Sequence, residues 1–184
     1  NSSGLVTGIA QGTAVVTATT VSGNKTATSS VTVQGQLPYG GIPATLPGVI
    51  QAENYDQGGQ NNAYFDNEST NQGGAYRTNE GVDITTIAGT SGFATGWTAT
   101  GEWTEYTSNV TGGTYTIEAT LASIYTGKQL RVLLDGAILA TLDVPNAGSW
   151  DVYQPVTISN IPFPGGNNKI LRLEIIGGEF NIDK

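Results

Sequence analysis

"TYTIEATLAS", residues 114–123, places Tyr115, Ile117, Ala119 and Leu121 at every second position, with Thr116, Glu118 and Thr120 between them. Successive side chains of an extended strand point to opposite faces, so a period of two describes a strand with one buried and one wet face. The same alternation returns in "KQLRVLLDG" (128–136), which aligns Leu130, Val132 and Leu134, and in "ILRLEIIGG" (170–178), which aligns Leu171, Leu173 and Ile175. "LDG" and "PGGNN" supply the turns that join antiparallel strands. Helical periodicity is almost absent, and Gly, Asn and Pro punctuate the chain. The fold class is therefore all-β, and several short strands at close spacing argue for a β-sandwich.

Before this body of strands, "GTAVVTATT" (12–20) and "KTATSSVTV" (25–33) are Val/Thr runs around the turn "VSGNK", which predicts a β-hairpin over residues 12–33. A lone two-stranded hairpin buries too little to be stable, so it is expected to pack on something else or to be the end of a larger unit. Residues 34–49 hold three prolines and four glycines, a linker composition. Tyr39, Ile42 and Leu46 within it could still dock on a neighbouring surface. The expected organisation is a partial unit at 1–34, a linker at 35–47 and a β-sandwich at 48–184.

Composition removes whole classes of function. Charged residues make up 12% of the 184 and the formal net charge is −8, with seven Lys and Arg in all. Binding nucleic acid needs clustered cations against phosphate, and an anionic membrane surface needs the same, so neither is an expected partner. No apolar run is long enough to span a bilayer. There is no cysteine and no histidine, which removes disulfides, a structural zinc site and any Ser-His or Cys-His nucleophile pair. Oxygen ligands remain, so calcium is the natural metal candidate. The chain starts without methionine or a signal-peptide pattern and reads as a mature or excised piece of a longer protein. Its Gly/Ser/Thr/Asn-rich, Lys-poor profile suits a secreted protein.

Two resemblances follow from motifs. "GLVTGIAQGTAVVTAT" followed by "SSVTV" resembles the C-terminal half of bacterial Ig-like group 2 domains over residues 1–34, a class of spacer and adhesion modules. From residue 48 the chain resembles family 6 carbohydrate-binding modules. The carrying residues, in order, are "IQAENYD", "GGAYR", "GVDI", "FATGWTATGEWTEYTSNVTGGTYTIEATLAS", "VPNAGSWDVYQPVTI" and "GEFNID". That resemblance implies a jelly-roll β-sandwich that binds polysaccharide and performs no catalysis. Members of the family run on past the final "FN-x-D" with an aromatic or apolar strand, so the last strand here is expected to be short or absent.

Sugar rings offer a C–H face and a rim of hydroxyls, so a binding site needs flat aromatic faces and a few oriented polar groups. Tryptophan in a β-sandwich is more often core than ligand platform. That reading is kept for Trp103, which lies in the alternating "GEWTEYTSNV" with Glu105 two residues on along the same face. A role for Trp103 on the concave face of the sandwich is the alternative that the family allows. Trp97 in "ATGW" and Trp150 in "AGSW" sit beside turn formers, where functional residues concentrate. The resemblance assigns Trp97 and Trp150 to two walls around a sugar and Asn181 of "FNID" to the amide that bonds its hydroxyls. The resemblance also implies an acidic residue near "YFDN" that completes the cleft, with Asp66 the candidate and Tyr64 the next choice.

Gln51 and Glu53 lie two apart, so on a strand their oxygens point the same way. On spacing alone, two solvated side chains on an edge strand are the better reading. The resemblance implies calcium held by Gln51, Glu53, the carbonyl of Phe93 and the carboxylate of Asp183. Glu102, Glu105 and Glu118 carry no pattern of a paired general acid and base. Arg77 and Glu80 read as a surface ion pair or a loop anchor.

The expected function is that of a non-catalytic module, secreted or on a bacterial cell surface, tethered to a polysaccharide-degrading enzyme. The resemblance implies xylan, a β-glucan or an agar-type polymer as its partner, and the acidic net charge argues against a strongly sulfated chain. The alternative is a structural or adhesion module with no specific glycan.

Overall fold

The computed structural model describes residues 6–8, 11–33 and 35–184. Part of the stretch that carries the Ig-like resemblance (residues 1–5, 9, 10 and 34) lies outside the described residues. The chain forms two compact units, Asn1–Gln36 and Leu37–Lys184.

In the first unit, β1 (Gly12–Thr19) and β2 (Thr26–Val33) pair antiparallel from Gly12 opposite Val33 to Thr19 opposite Thr26. The turn closes with Thr20 N–H donating to Lys25 O at 2.9 Å. Gly23 and Asn24 hold φ of 79° and 47° there, the left-handed values that these two residue types tolerate best.

The second unit is two facing sheets. One contains β3 (Ala44–Leu46), β4 (Tyr64–Phe65), β7 (Trp103–Val110), β9 (Lys128–Leu134), β10 (Ala137–Val144) and β12 (Gly166–Ile176). Its order is β10-β9-β12-β7-β3, with β4 also on β7. The other contains β5 (Ile84–Thr86), β6 (Phe93–Thr95), β8 (Gly113–Ala122), β11 (Gln154–Phe163) and β13 (Asn181–Ile182), in the order β11-β8-β13-β6-β5. β12 pairs with β7 and β9, and β8 with β11, so strands distant in sequence are neighbours, the jelly-roll sandwich that the motifs imply.

Alternation works as the physics requires. Leu130, Val132, Leu134, Leu171 and Ile175 of one sheet meet Ala119, Leu121, Ile84 and Ile182 of the other in a single core. Tyr115 and Ile117 keep the period of β8 yet are only half-buried. β13 pairs with β8 only opposite Ala122 and Leu121, and the last bonds between them are at Thr120. Beyond Thr120 an apolar groove of about 190 Å³ opens, lined by Tyr115, Ile117, Leu46, Phe163 and Leu173.

Two expectations change. The proline-rich stretch read as a linker at 35–47 is built into the sandwich from Leu37 onward. Leu37 exchanges backbone bonds with Gln57 at 2.8 Å, Tyr39 heads a 3-10 turn, and Ala44–Leu46 pairs parallel with Ser108–Val110 of β7. Proline is compatible with an edge strand, where a missing N–H costs no ladder bond, so composition alone did not separate linker from edge. Trp103 is not a core residue. Tyr106 and Val110 carry the inward face of β7. Trp103 shares the opposite face with Glu105, under the Arg172 guanidinium at 3.9 Å from the ring centre. Arg172 also donates from Nε to Glu105 at 2.8 Å, so the indole is covered by the hydrophobic stem and cation of an arginine rather than by the opposing sheet.

Candidate functional site

Four connections meet at one end of the sandwich: those joining β6 to β7, β8 to β9, β10 to β11 and β12 to β13. They form a cleft of about 450 Å³, within the range of roughly 300–1,000 Å³ typical of small-ligand sites. Trp97, Tyr125, Trp150, Glu179 and Asn181 line it.

Trp97 follows β6 with φ of 46°, a conformation that side-chain-bearing residues rarely adopt and that needs support from neighbours. That support is a clamp. Thr98 Oγ1 donates to Phe180 O at 2.6 Å and accepts from Phe180 N–H at 3.1 Å, while Glu179 N–H donates to Thr98 O at 2.6 Å. The indole is left 51% exposed. A Cβ on Gly96 would stand 2.8 Å from Asn181 Oδ1, so only glycine before Trp97 lets the amide approach this closely.

Asn181 is buried at the base, and its Nδ2 donates to the backbone carbonyl of Trp150 at 3.0 Å. The Trp150 connection is tied again by Ala147 N–H to Ser123 O at 2.8 Å and Asn146 Nδ2 to Ile124 O at 2.9 Å. The Trp150 ring stays 37% exposed and meets Tyr125 edge to face, with centroids 5.8 Å apart and planes at 69°. Beside Asn181, burial pushes the Tyr153 hydroxyl up to about 12, against the Asn181 hydrogen bond that lowers it, so Tyr153 keeps its proton and its donor.

The structure thus brings Trp97, Trp150 and Asn181 together. It does not bring Tyr64 and Asp66 to them. Tyr64 is buried, packs edge-on against Tyr55 at 5.3 Å, and its hydroxyl accepts from Gly81 N–H at 3.1 Å. Asp66 is buried too, accepting Glu68 N–H at 2.8 Å, in a separate small cavity with Asp83 and Glu102. These three carboxylates anchor backbone. Asp83 accepts from Gln72 N–H, and Glu102 accepts from Asn67 N–H at 3.2 Å and Ala99 N–H at 2.7 Å. Desolvation raises all three, with Asp83 pushed to about 6 and Glu102 to about 7. Glu105 is held by Arg172, and Glu118 is exposed on β8 in the other sheet. Arg77 is a loop anchor rather than a surface residue. Its side chain is 9% exposed, it lies 3.4 Å over the Tyr55 ring, pairs with Glu80 at 2.8 Å and donates to Asp56 O at 2.9 Å.

Sequence reasoning missed Tyr125 and Glu179. The signal for Tyr125 was present: in "IYTGK" it stands next to a turn former, as the two tryptophans do. Glu179 carried none, because it enters the cleft through its φ of 59°.

Gln51, Glu53, Phe93 and Asp183 line one pocket elsewhere. Ala52 N–H donates to Asp183 O at 2.9 Å, which brings this segment against the last strand. Glu53 Oε2 is buried with no hydrogen-bond partner. Desolvation first, and the Asp183 charge after it, raise the Glu53 pKa. An orphaned buried carboxylate oxygen near a second carboxylate, in a pocket that Gln51 and Phe93 also line, offers oxygen donors of the kind that calcium takes.

Comparison with known proteins agrees with this architecture. A Clostridium stercorarium family 6 module solved with cellobiose is 24% identical, with a TM-score of 0.58 over 78% of this chain and 94% of its own. A β-1,3-glucan-binding family 6 module from Bacillus halodurans is 22% identical, with a TM-score of 0.58 over 77% and 96%. The C-terminal family 6 module of a marine laminarinase from Zobellia galactanivorans is 27% identical, with a TM-score of 0.51 over 55% and 83%. No curated protein matches the sequence. The sequence profile of carbohydrate binding module (family 6) matches residues 72–184, more than half of the chain, and the chain belongs to that family of non-catalytic carbohydrate-binding domains.

Proposed function

We propose that this module attaches a secreted bacterial polysaccharide-degrading enzyme to its polymer by holding a sugar between Trp97 and Trp150. The observation that carries this reading is the convergence of two exposed indoles and a buried amide on one cleft. Indole faces take the C–H face of a pyranose, and Asn181 Oδ1 accepts a hydroxyl while its Nδ2 fixes the Trp150 connection. Tethering raises the effective concentration of an attached catalytic domain at the polymer, so a modest affinity is sufficient. The cellobiose complex and the β-1,3-glucan binder among the relatives put β-glucans first among the polymers to test, followed by xylan and agar.

Calcium at Gln51, Glu53, Phe93 and Asp183 belongs to the same proposal as a structural ion. It would supply positive charge to two adjacent carboxylates. The orphaned Glu53 oxygen supports it.

A glycan array and affinity gels on the wild type, Trp97→Ala, Trp150→Ala and the double variant test the function. Retention of a neutral polysaccharide that both single variants weaken is the expected result. Binding to no glycan turns the reading to a structural or adhesion module. Binding that survives the double variant moves the site to the face around Trp103, and sugar release from any polymer overturns a purely binding role.

A further inference from the structure

Resting on that reading of the cleft, we propose that Glu179, held in place by Lys128, makes it selective for neutral glycans over the same chains carrying carboxylates. The pair is oriented. Glu179 lines the cleft with a side chain 56% exposed, whereas Lys128 lies behind it, 17% exposed, and lines no part of the cleft. Lys128 Nζ donates to Glu179 Oε2 at 2.6 Å and to Gly177 O at 2.9 Å, and stands 5.4 Å from the Tyr125 ring centre. The ammonium therefore fixes three things at once: one oxygen of Glu179, the turn before it, and the aromatic ring that abuts Trp150. Glu179 Oε1 takes no bond from a described residue and remains available to a hydroxyl donor. Asp151 is a second carboxylate on the cleft wall, and among the described residues no Lys or Arg lines it.

A cleft built this way presents acceptors without cations. Sugar hydroxyls donate to carboxylates in short, charge-assisted bonds. A uronate or carboxymethyl group placed on the same ring instead meets like charge with no cation on the cleft wall. Net charge alone would give only a diffuse repulsion, screened beyond about 10 Å at 0.1 M salt. Here the charge stands at the contact.

The test uses matched polymers that share a backbone: hydroxyethylcellulose with carboxymethylcellulose, and laminarin with carboxymethylcurdlan, in affinity gels at low salt. For a pair whose neutral member binds, the wild type should hold the carboxymethyl member about fivefold or more weakly, the scale of an exposed charge contact. Glu179→Gln should narrow that ratio to within about twofold. Lys128→Met should widen it, because it leaves the Glu179 charge uncompensated. A fold defect would move both variants in one direction, so their opposite signs carry the inference, and melting temperatures check that each is folded. Equal binding of both members by the wild type, or a ratio unmoved by Glu179→Gln, overturns the charge selectivity while leaving the Trp97–Trp150 cleft intact. Failure to retain either member of any pair overturns the charge selectivity on β-glucans, and with a blank glycan array it overturns the reading of the cleft as well.

Discussion

Asn181 and Trp150 lie 31 positions apart and are joined by one bond, from the Asn181 side-chain amide to the Trp150 carbonyl at 3.0 Å. The base of the cleft thereby holds its own wall. Asn181→Ala removes a ligand acceptor and the tether together. The expected outcome is a loss of glycan affinity of about tenfold or more and a drop in stability of about 1 kcal/mol, the usual net worth of one hydrogen bond. Calorimetric titration and denaturant melts on the same samples read the two effects separately.

Trp97 and Trp150 should behave differently from Asn181. Both rings are exposed, at 51% and 37%, so truncation removes little core contact. Each Trp→Ala variant should lose about 2 kcal/mol of binding, the scale of an interface hot spot, while its melting temperature stays within a degree or two. A large fall in melting temperature would mean that the ring is packing, not waiting for a ligand.

Four buried carboxylates contribute stability that fades as pH rises. Glu102, Asp83, Asp66 and Glu53 all have pKa values raised above the ordinary range, mainly by desolvation, whereas Asp135 is lowered by Lys169. A raised carboxyl binds its proton more tightly in the folded state, so its contribution is complete below the unfolded value and is lost as pH rises through the folded one. For Glu102 that window runs from 4.5 to about 7. In EDTA the melting temperature should fall between pH 5 and pH 8, and Glu102→Gln should flatten the curve over that range. A melting temperature that climbs with pH in EDTA contradicts the argument.

Removing calcium should lower the melting temperature at neutral pH. At about a hundredfold excess over its dissociation constant the ion would contribute about 2.7 kcal/mol. Glu53→Gln should abolish the response to EDTA without removing glycan binding, because Glu53 lines a different pocket from the two tryptophans. An identical melting temperature with and without chelator counts against a structural ion.

Arg77→Lys should be costly despite keeping the charge. The guanidinium bonds the carbonyls of Tyr55 and Asp56, pairs with Glu80 and covers the Tyr55 ring. An ammonium cannot satisfy that planar fork. We expect a loss of about 2 kcal/mol, the scale of buried carbonyls left without a donor, in urea melts.

How much of this was legible in the chain itself depends on the range of each signal. Period-two alternation is local, so Leu130, Val132, Leu134 and Leu171 declared an all-β fold with one buried face per strand, and the structure buries them. Aromatic residues next to turn formers are equally local, which is why Trp97 and Trp150 stood out. Absences of His, Cys and clustered Lys are read from composition and excluded whole chemistries at once. Other features depend on which distant segments become neighbours. Ala44–Leu46 became an edge strand because β7 left an edge open to it. Trp103 left the core because Arg172, 69 positions later, lies over its ring. Tyr64 and Asp66 turned inward, away from the cleft that the family resemblance suggested for them. Tyr125, Glu179 and Lys128 entered through loop conformations that no periodicity encodes. Local patterning thus settles the strands, their inward faces and the chemistry available at the loops, whereas the pairing of distant segments settles which loops meet and what lines the cleft. Alternation follows from backbone geometry within a few residues, but a site needs long-range pairing to bring its parts together.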